Sequence, residues 1–319
     1  MIIIYMVKSK RVTKKKQIKT GGILADKNLD KSFYDFLGGS RLKLLSSGSN
    51  GVTFVASFND KANLNAYVHS NYRNYGKTVK TLLVKLVLLN DELPKIELRK
   101  NSDNTITLET TKVPNFVSEV NIQSDIFMKS NDVLQPLCPS IVFAKSFYGE
   151  NDKQITTMIT SMYKNGKNKE TKNVLNDIMS HYQISNIRGI GIIGMEFIKS
   201  KTLHELHTSS NFDLYREMAM FGILRLALET EYHHADYHMN NIMISTDDPS
   251  YFYGTVGSPL LIDFGYTRKI PKEIMNQMNR EVNAGNYTGA LDLVCPLKRS
   301  DGLDLKKHEN LYGWVCNDF

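Results

Sequence analysis

No apolar run in this 319-residue chain approaches the roughly 20 residues that a membrane-crossing helix needs, so the sequence gives no membrane span. Cysteine is scarce. Cys138, Cys295 and Cys316 are odd in number and widely spaced, which argues against a disulfide framework and for a reducing compartment. Residues 1–5 are apolar, but the Lys-rich stretch follows them, the wrong order for a secretory signal. The expectation is a soluble intracellular protein, cytoplasmic or nuclear and not secreted. Internal repeats are absent, and no acidic residue precedes Asp26.

That last absence explains the formal charge of +7. Lys8, Lys10, Arg11, Lys14, Lys15, Lys16 and Lys19 all precede Asp26, so the remainder is close to neutral and implies no global basic patch. Residues 1–30 read as a basic, disordered arm, the one place where a nucleic-acid partner could be held. With 41% hydrophobic and 10% aromatic residues, the rest is globular and long enough for two lobes around a cleft, or one large domain.

Two clusters carry the chemistry. His234-Ala235-Asp236-Tyr237-His238-Met239-Asn240-Asn241 precedes the apolar run Ile242-Met243-Ile244, and Leu260-Leu261-Ile262 runs into Asp263-Phe264-Gly265. Upstream, a short helix over 31–37 and a strand over 41–45 lead into Ser46-Ser47-Gly48-Ser49-Asn50-Gly51, with a second strand over 52–58. On its own this is a glycine-bearing hairpin, a plain turn or a phosphate cradle. Residues 59–78 read as an inserted loop.

The strand over 81–89 is apolar except for Lys85, on one face with Leu83 and Val87. An unpaired buried ammonium costs several kcal/mol, roughly, so Lys85 needs an anionic partner or an exit to solvent. Residues 95–110 predict an extra hairpin, and Pro114-Asn115 opens a helix over 116–129. Glu119, Ile122 and Ile126 share one face of it, which makes Glu119 the expected partner of Lys85. Further strands fall at 140–148 and 190–198, the first followed by a polar insertion over 150–185 with a helix at 172–182. A helix is expected to start at 202–206. The clearest helix spans 212–232, with an apolar stripe of Leu214, Met218, Phe221 and Leu228. A turn-rich loop separates the two site clusters.

Taken in order, these features resemble the protein-kinase-like superfamily. The glycine hairpin, buried Lys, helical Glu, Asp-x4-Asn and Asp-Phe-Gly follow one another in kinase sequence over 41–268. The resemblance implies an α+β, bilobal fold: a β-rich N-lobe over 31–198 and a mainly helical, abbreviated C-lobe over 199–319 without Ala-Pro-Glu. It implies ATP and Mg²⁺. Gly48, Ser49 and Gly51 cover the phosphates, with Ser46 where the first glycine stands, and Lys85 holds the α/β-phosphates. Met195 abuts the adenine, while the backbones of Glu196 and Ile198 bond its edge. Asp236 is the catalytic base, and Asn241 and Asp263 bind Mg²⁺.

His238 departs from the usual Lys of Ser/Thr protein kinases. His-Ala-Asp-x-His-x-x-Asn looks more like atypical kinases of the ubiquinone-biosynthesis type, and resembles aminoglycoside and choline phosphotransferases. The acceptor that the resemblance implies is a hydroxyl, on a protein first and a small molecule second. Two alternatives stand beside this: a pseudokinase scaffold, and a metal-dependent hydrolase with His233, His234, Asp236 and His238 as ligands.

Overall fold

The computed structural model describes residues 37, 39–48, 51–58, 81–92, 95–101, 104–133, 135–148, 153–184, 187–245 and 257–296. The basic arm, Ser49, most of the 31–37 helix, the 59–78 loop and the turn-rich loop between the two site clusters lie outside them.

The chain is an α+β protein built on a five-stranded antiparallel sheet in the order β1-β2-β3-β7-β6. Its strands are β1 (Arg41–Gly48), β2 (Gly51–Ser57), β3 (Thr81–Leu89), β6 (Ile141–Tyr148) and β7 (Gly189–Glu196). Alternation sorts their side chains onto two faces. Leu42, Phe54, Leu82, Val84, Leu86, Ile190 and Ile192 point to one side, into a large apolar cluster. Three units pack against that side: the hairpin β4 (Lys95–Asn101) and β5 (Asn104–Glu109), helix α2 (Lys153–Lys164) and helix α3 (Lys169–Gln183). The polar segment over 150–185 thus holds two helices rather than the single one expected, and it closes the core.

On the opposite face lies helix α1 (Val113–Val133), whose Phe116 and Val120 pack on Val87, Leu89 and Ile193. Phe116, Glu119, Val120, Gln123, Ile126, Phe127 and Ser130 form its buried stripe, each three or four residues from another member of the set. Pro114 sits in the first turn, where a missing N–H costs the helix nothing.

A second large cluster gathers around helix α4 (Phe212–Thr230), with helix α5 (Lys272–Asn283) and helix α6 (Tyr287–Val294). Short strands complete this part. β8 (Lys201–Thr202), β10 (Ile242–Ser245) and β11 (Ser258–Leu261) pair in the order β11-β10-β8, and β9 (Tyr232–His233) pairs with β12 (Arg268–Lys269). Two expectations are corrected. Residues 202–206 do not start a helix: Thr202 pairs with Met243, and turns follow. The face of α4 is also different, since Leu214, Met218, Phe221 and Leu228 are only half-buried while 222–227 are buried without interruption.

Cys138 is a free, buried thiol, whereas Cys295 is disulfide-bonded, so the reading of scattered reduced thiols does not hold for Cys295. Among the described residues no helix is long and apolar enough to cross a membrane.

Candidate functional site

Lys85 is the hub. Register places it between Thr53 of β2 and Ile193 of β7, in the middle of the sheet and on the face that α1 covers. Its Nζ lies 2.8 Å from Glu119 Oε1 and 3.1 Å from Asp263 Oδ1. Burial works to discharge the ammonium, but the Asp263 and Glu119 carboxylates more than offset it and hold the Lys85 pKa above its ordinary value. Burial raises Glu119, with Lys85 pulling the other way. One cation thus serves two carboxylates delivered by different elements, and removing it would leave both facing each other.

Gly51 closes over this group. A Cβ at Gly51 would lie 2.5 Å from the Leu86 carbonyl and 3.4 Å from Lys85 Cε, and its φ of +147° is one that residues with a side chain rarely adopt. The approach of the hairpin to the β3 backbone at Leu86 therefore requires glycine here. Gly48 pairs directly with Gly51 at the end of the ladder.

The two motif clusters meet because β10 and β11 pair antiparallel, with Ile242 opposite Leu261. One step beyond the ladder, Ile262 N–H donates to the Asn241 carbonyl at 3.0 Å, which sets Asn241 beside the entry to Asp263. Asn241 Nδ2 donates to both the carbonyl and Oδ2 of Asp236, each at 3.1 Å. Those bonds use the amide nitrogen and leave Asn241 Oδ1 as a hard oxygen. That oxygen and the Asp263 carboxylate are both hard donors, the chemical type that Mg²⁺ takes. His238 accepts from the Asn240 N–H through Nδ1 at 3.2 Å, which turns its Nε2 toward Asp236 Oδ2 at 3.6 Å.

Backbone strain is concentrated in the same place. Ala235 and Asp263 both have left-handed backbones, with φ of 63° and 66°. Neighbouring bonds hold those turns. His234 is fully buried, its Nε2 donates to the Ile262 carbonyl at 2.7 Å, and its N–H donates to the Tyr237 hydroxyl at 3.0 Å. Burial lowers its pKa, so it serves as a neutral strut between the clusters. Phe264 packs against it, ring centroids 5.1 Å apart. His234 is thus spent on packing, and among the described residues no three His, Cys, Asp or Glu side chains converge as a metal-ligand group. The hydrolase alternative, which needed His233, His234, Asp236 and His238 together, is not assembled.

Met195 and Glu196 end β7, two strands from the glycine hairpin, and Ile198 follows them. The Glu196 N–H is occupied by the Ser140 carbonyl at 3.0 Å, and its side chain is buried. Sequence reasoning missed Gln123. It lies one turn beyond Glu119, and its Nε2 donates to the Pro139 carbonyl at 2.9 Å and sits 3.5 Å from Met195 Sδ. The 137–140 segment it grips also accepts the Leu261 N–H at 2.7 Å through Leu137. This short linker fastens α1, β7 and β11 to one another. Helical spacing from Glu119 would have put Gln123 on the inner face; nothing local announced its partner.

No protein-family model matches the chain, and a comparison with curated proteins found no match.

Proposed function

We propose that this protein is an ATP-dependent phosphotransferase with a bilobal, protein-kinase-like fold, the nucleotide held between a β-rich lobe over 31–198 and a mainly helical lobe over 199–319. The observation that carries the reading is the Lys85 ammonium between Glu119 and Asp263, beneath Gly51. A lysine fixed this way can hold nucleotide phosphates, and its carboxylate partners keep it charged and aimed. Bound Mg²⁺ supplies neutralisation of phosphate charge.

Asp236 takes the proton of the acceptor hydroxyl as its oxygen bonds to the γ-phosphorus and the bond to the ADP oxygen breaks. Asn241 fixes Asp236 Oδ2, which directs Oδ1 toward that hydroxyl. Met195, Glu196 and Ile198 border the base, and Gly48 and Gly51 border the phosphates. The acceptor is a protein Ser/Thr hydroxyl in the first reading. A small-molecule hydroxyl is the second, and the observation that favours it is His238, whose ring faces Asp236 in place of a lysine.

Asp236→Asn tests the assignment. Stabilisation by Mg·ATP in a thermal shift should persist while transfer from radiolabelled ATP to the protein itself, to a basic protein or to a panel of hydroxylated metabolites disappears. Full transfer by this variant would end the role given to Asp236. A thermal shift without turnover on any acceptor would mark the wild-type chain as a nucleotide-binding scaffold.

A further inference from the structure

We propose that β1, α2 and the turn from α2 into α3 form a binding surface for single-stranded nucleic acid. These segments are far apart in sequence but are joined edge to edge. The Leu42 N–H donates to the Asn165 carbonyl at 3.2 Å, and the Lys167 N–H donates to the Leu42 carbonyl at 2.8 Å. Leu42 points into the core, so alternation turns its neighbours Arg41 and Lys43 outward, where both are exposed. Lys164, Lys167 and Lys169 in the turn are exposed as well.

Neither β1 nor residues 153–169 contain a single acidic residue. Two acids of α3 are already engaged: Glu170 with Lys100 at 2.7 Å and Asp177 with Arg99 at 3.3 Å. A chain whose body is nearly neutral therefore carries a concentrated cationic strip at one sheet edge. Such a strip fits a row of phosphates.

An aromatic ring stands among the cations. Tyr163 is exposed, with Lys172 Nζ 5.8 Å from its ring centroid, an arrangement on which an unpaired base can stack. A lipid surface is a poorer fit. The apolar stripe of α2, Ile155, Met158, Ile159 and Met162, is 0% exposed and committed to the core. Leu45 is the one exposed aliphatic side chain of these segments, too little to enter a bilayer.

Fluorescence anisotropy of a labelled oligo(dT) of about twenty nucleotides, titrated with the full chain at several salt concentrations, tests this. The triple variant Lys164→Glu, Lys167→Glu, Lys169→Glu alters only exposed side chains and should melt with the wild type. Its affinity should fall roughly tenfold or more, and losing three phosphate contacts should flatten the salt slope by about 2. Tyr163→Ala should weaken binding several-fold and leave the slope unchanged. Unaltered affinity in the triple variant would overturn the proposal, as would duplex DNA binding as tightly as the single strand. So would binding to phosphatidylserine vesicles that the triple variant loses while keeping the oligonucleotide.

Discussion

The Lys85 ammonium and the Asp263 carboxylate, 178 residues apart in the chain, meet at 3.1 Å, with Glu119 closing the group from α1 at 2.8 Å. Lys85→Met would leave two carboxylates with no cation between them in a largely dry site. A loss of about 3 kcal/mol is expected in urea denaturation, and adding Glu119→Gln should recover part of it. A single variant as stable as wild type would mean that the carboxylates do not depend on Lys85.

His233 gives the fold a pH dependence whose sign is set by burial. Burial, with Arg268 and His234 nearby, lowers its pKa from 6.5 to about 4. The folded state thus keeps His233 neutral where the unfolded chain would bind a proton. Its contribution is fully present above pH 6.5 and is lost as the pH falls toward about 4, amounting to roughly 3 kcal/mol at most. Melting temperature should drop across that window. It should drop less in His233→Asn, in which His234 still titrates in the same direction. Parallel curves for the two proteins would refute the assignment.

Gly51→Ala puts a methyl group 2.5 Å from the Leu86 carbonyl in a conformation with φ of +147°. The hairpin has to move, at a cost of about 1–3 kcal/mol. Affinity for Mg·ATP should weaken by about an order of magnitude if the hairpin covers phosphates. Unchanged nucleotide binding, followed by isothermal calorimetry, would separate the hairpin from the site.

Gln123→Met preserves bulk but removes the donor to the buried Pro139 carbonyl. Stability should fall by about 1–3 kcal/mol. Because Gln123 sits one turn from Glu119, kcat should fall as well, with KM for ATP less affected. Loss of stability with kcat intact would make Gln123 a packing residue only.

What the sequence disclosed was whatever one element could not tolerate alone. A lysine in an apolar strand demanded a counter-charge, and Glu119 stood at helical spacing to supply it. What it hid was set by other parts of the molecule. Helix α4 shows no single stripe because its middle is buried on all sides, from Gly222 to Ala227. Residues 202–206 looked helical because nothing nearby reveals that Thr202 pairs with Met243. Helix α2 was legible and passed over: Ile155, Met158, Ile159 and Met162 have helical spacing, masked by the threonines between them and the Lys/Asn-rich sequence that follows.

The junction at Leu42 has a last consequence. Both of its outward backbone groups are spoken for by Asn165 and Lys167, and the Leu44 N–H is taken by the Thr171 hydroxyl at 2.8 Å. A visiting peptide cannot extend the sheet by lying alongside β1 there, and neither can a second copy of the chain. At this edge, hydrogen bonds already made within the chain close the sheet to strand addition.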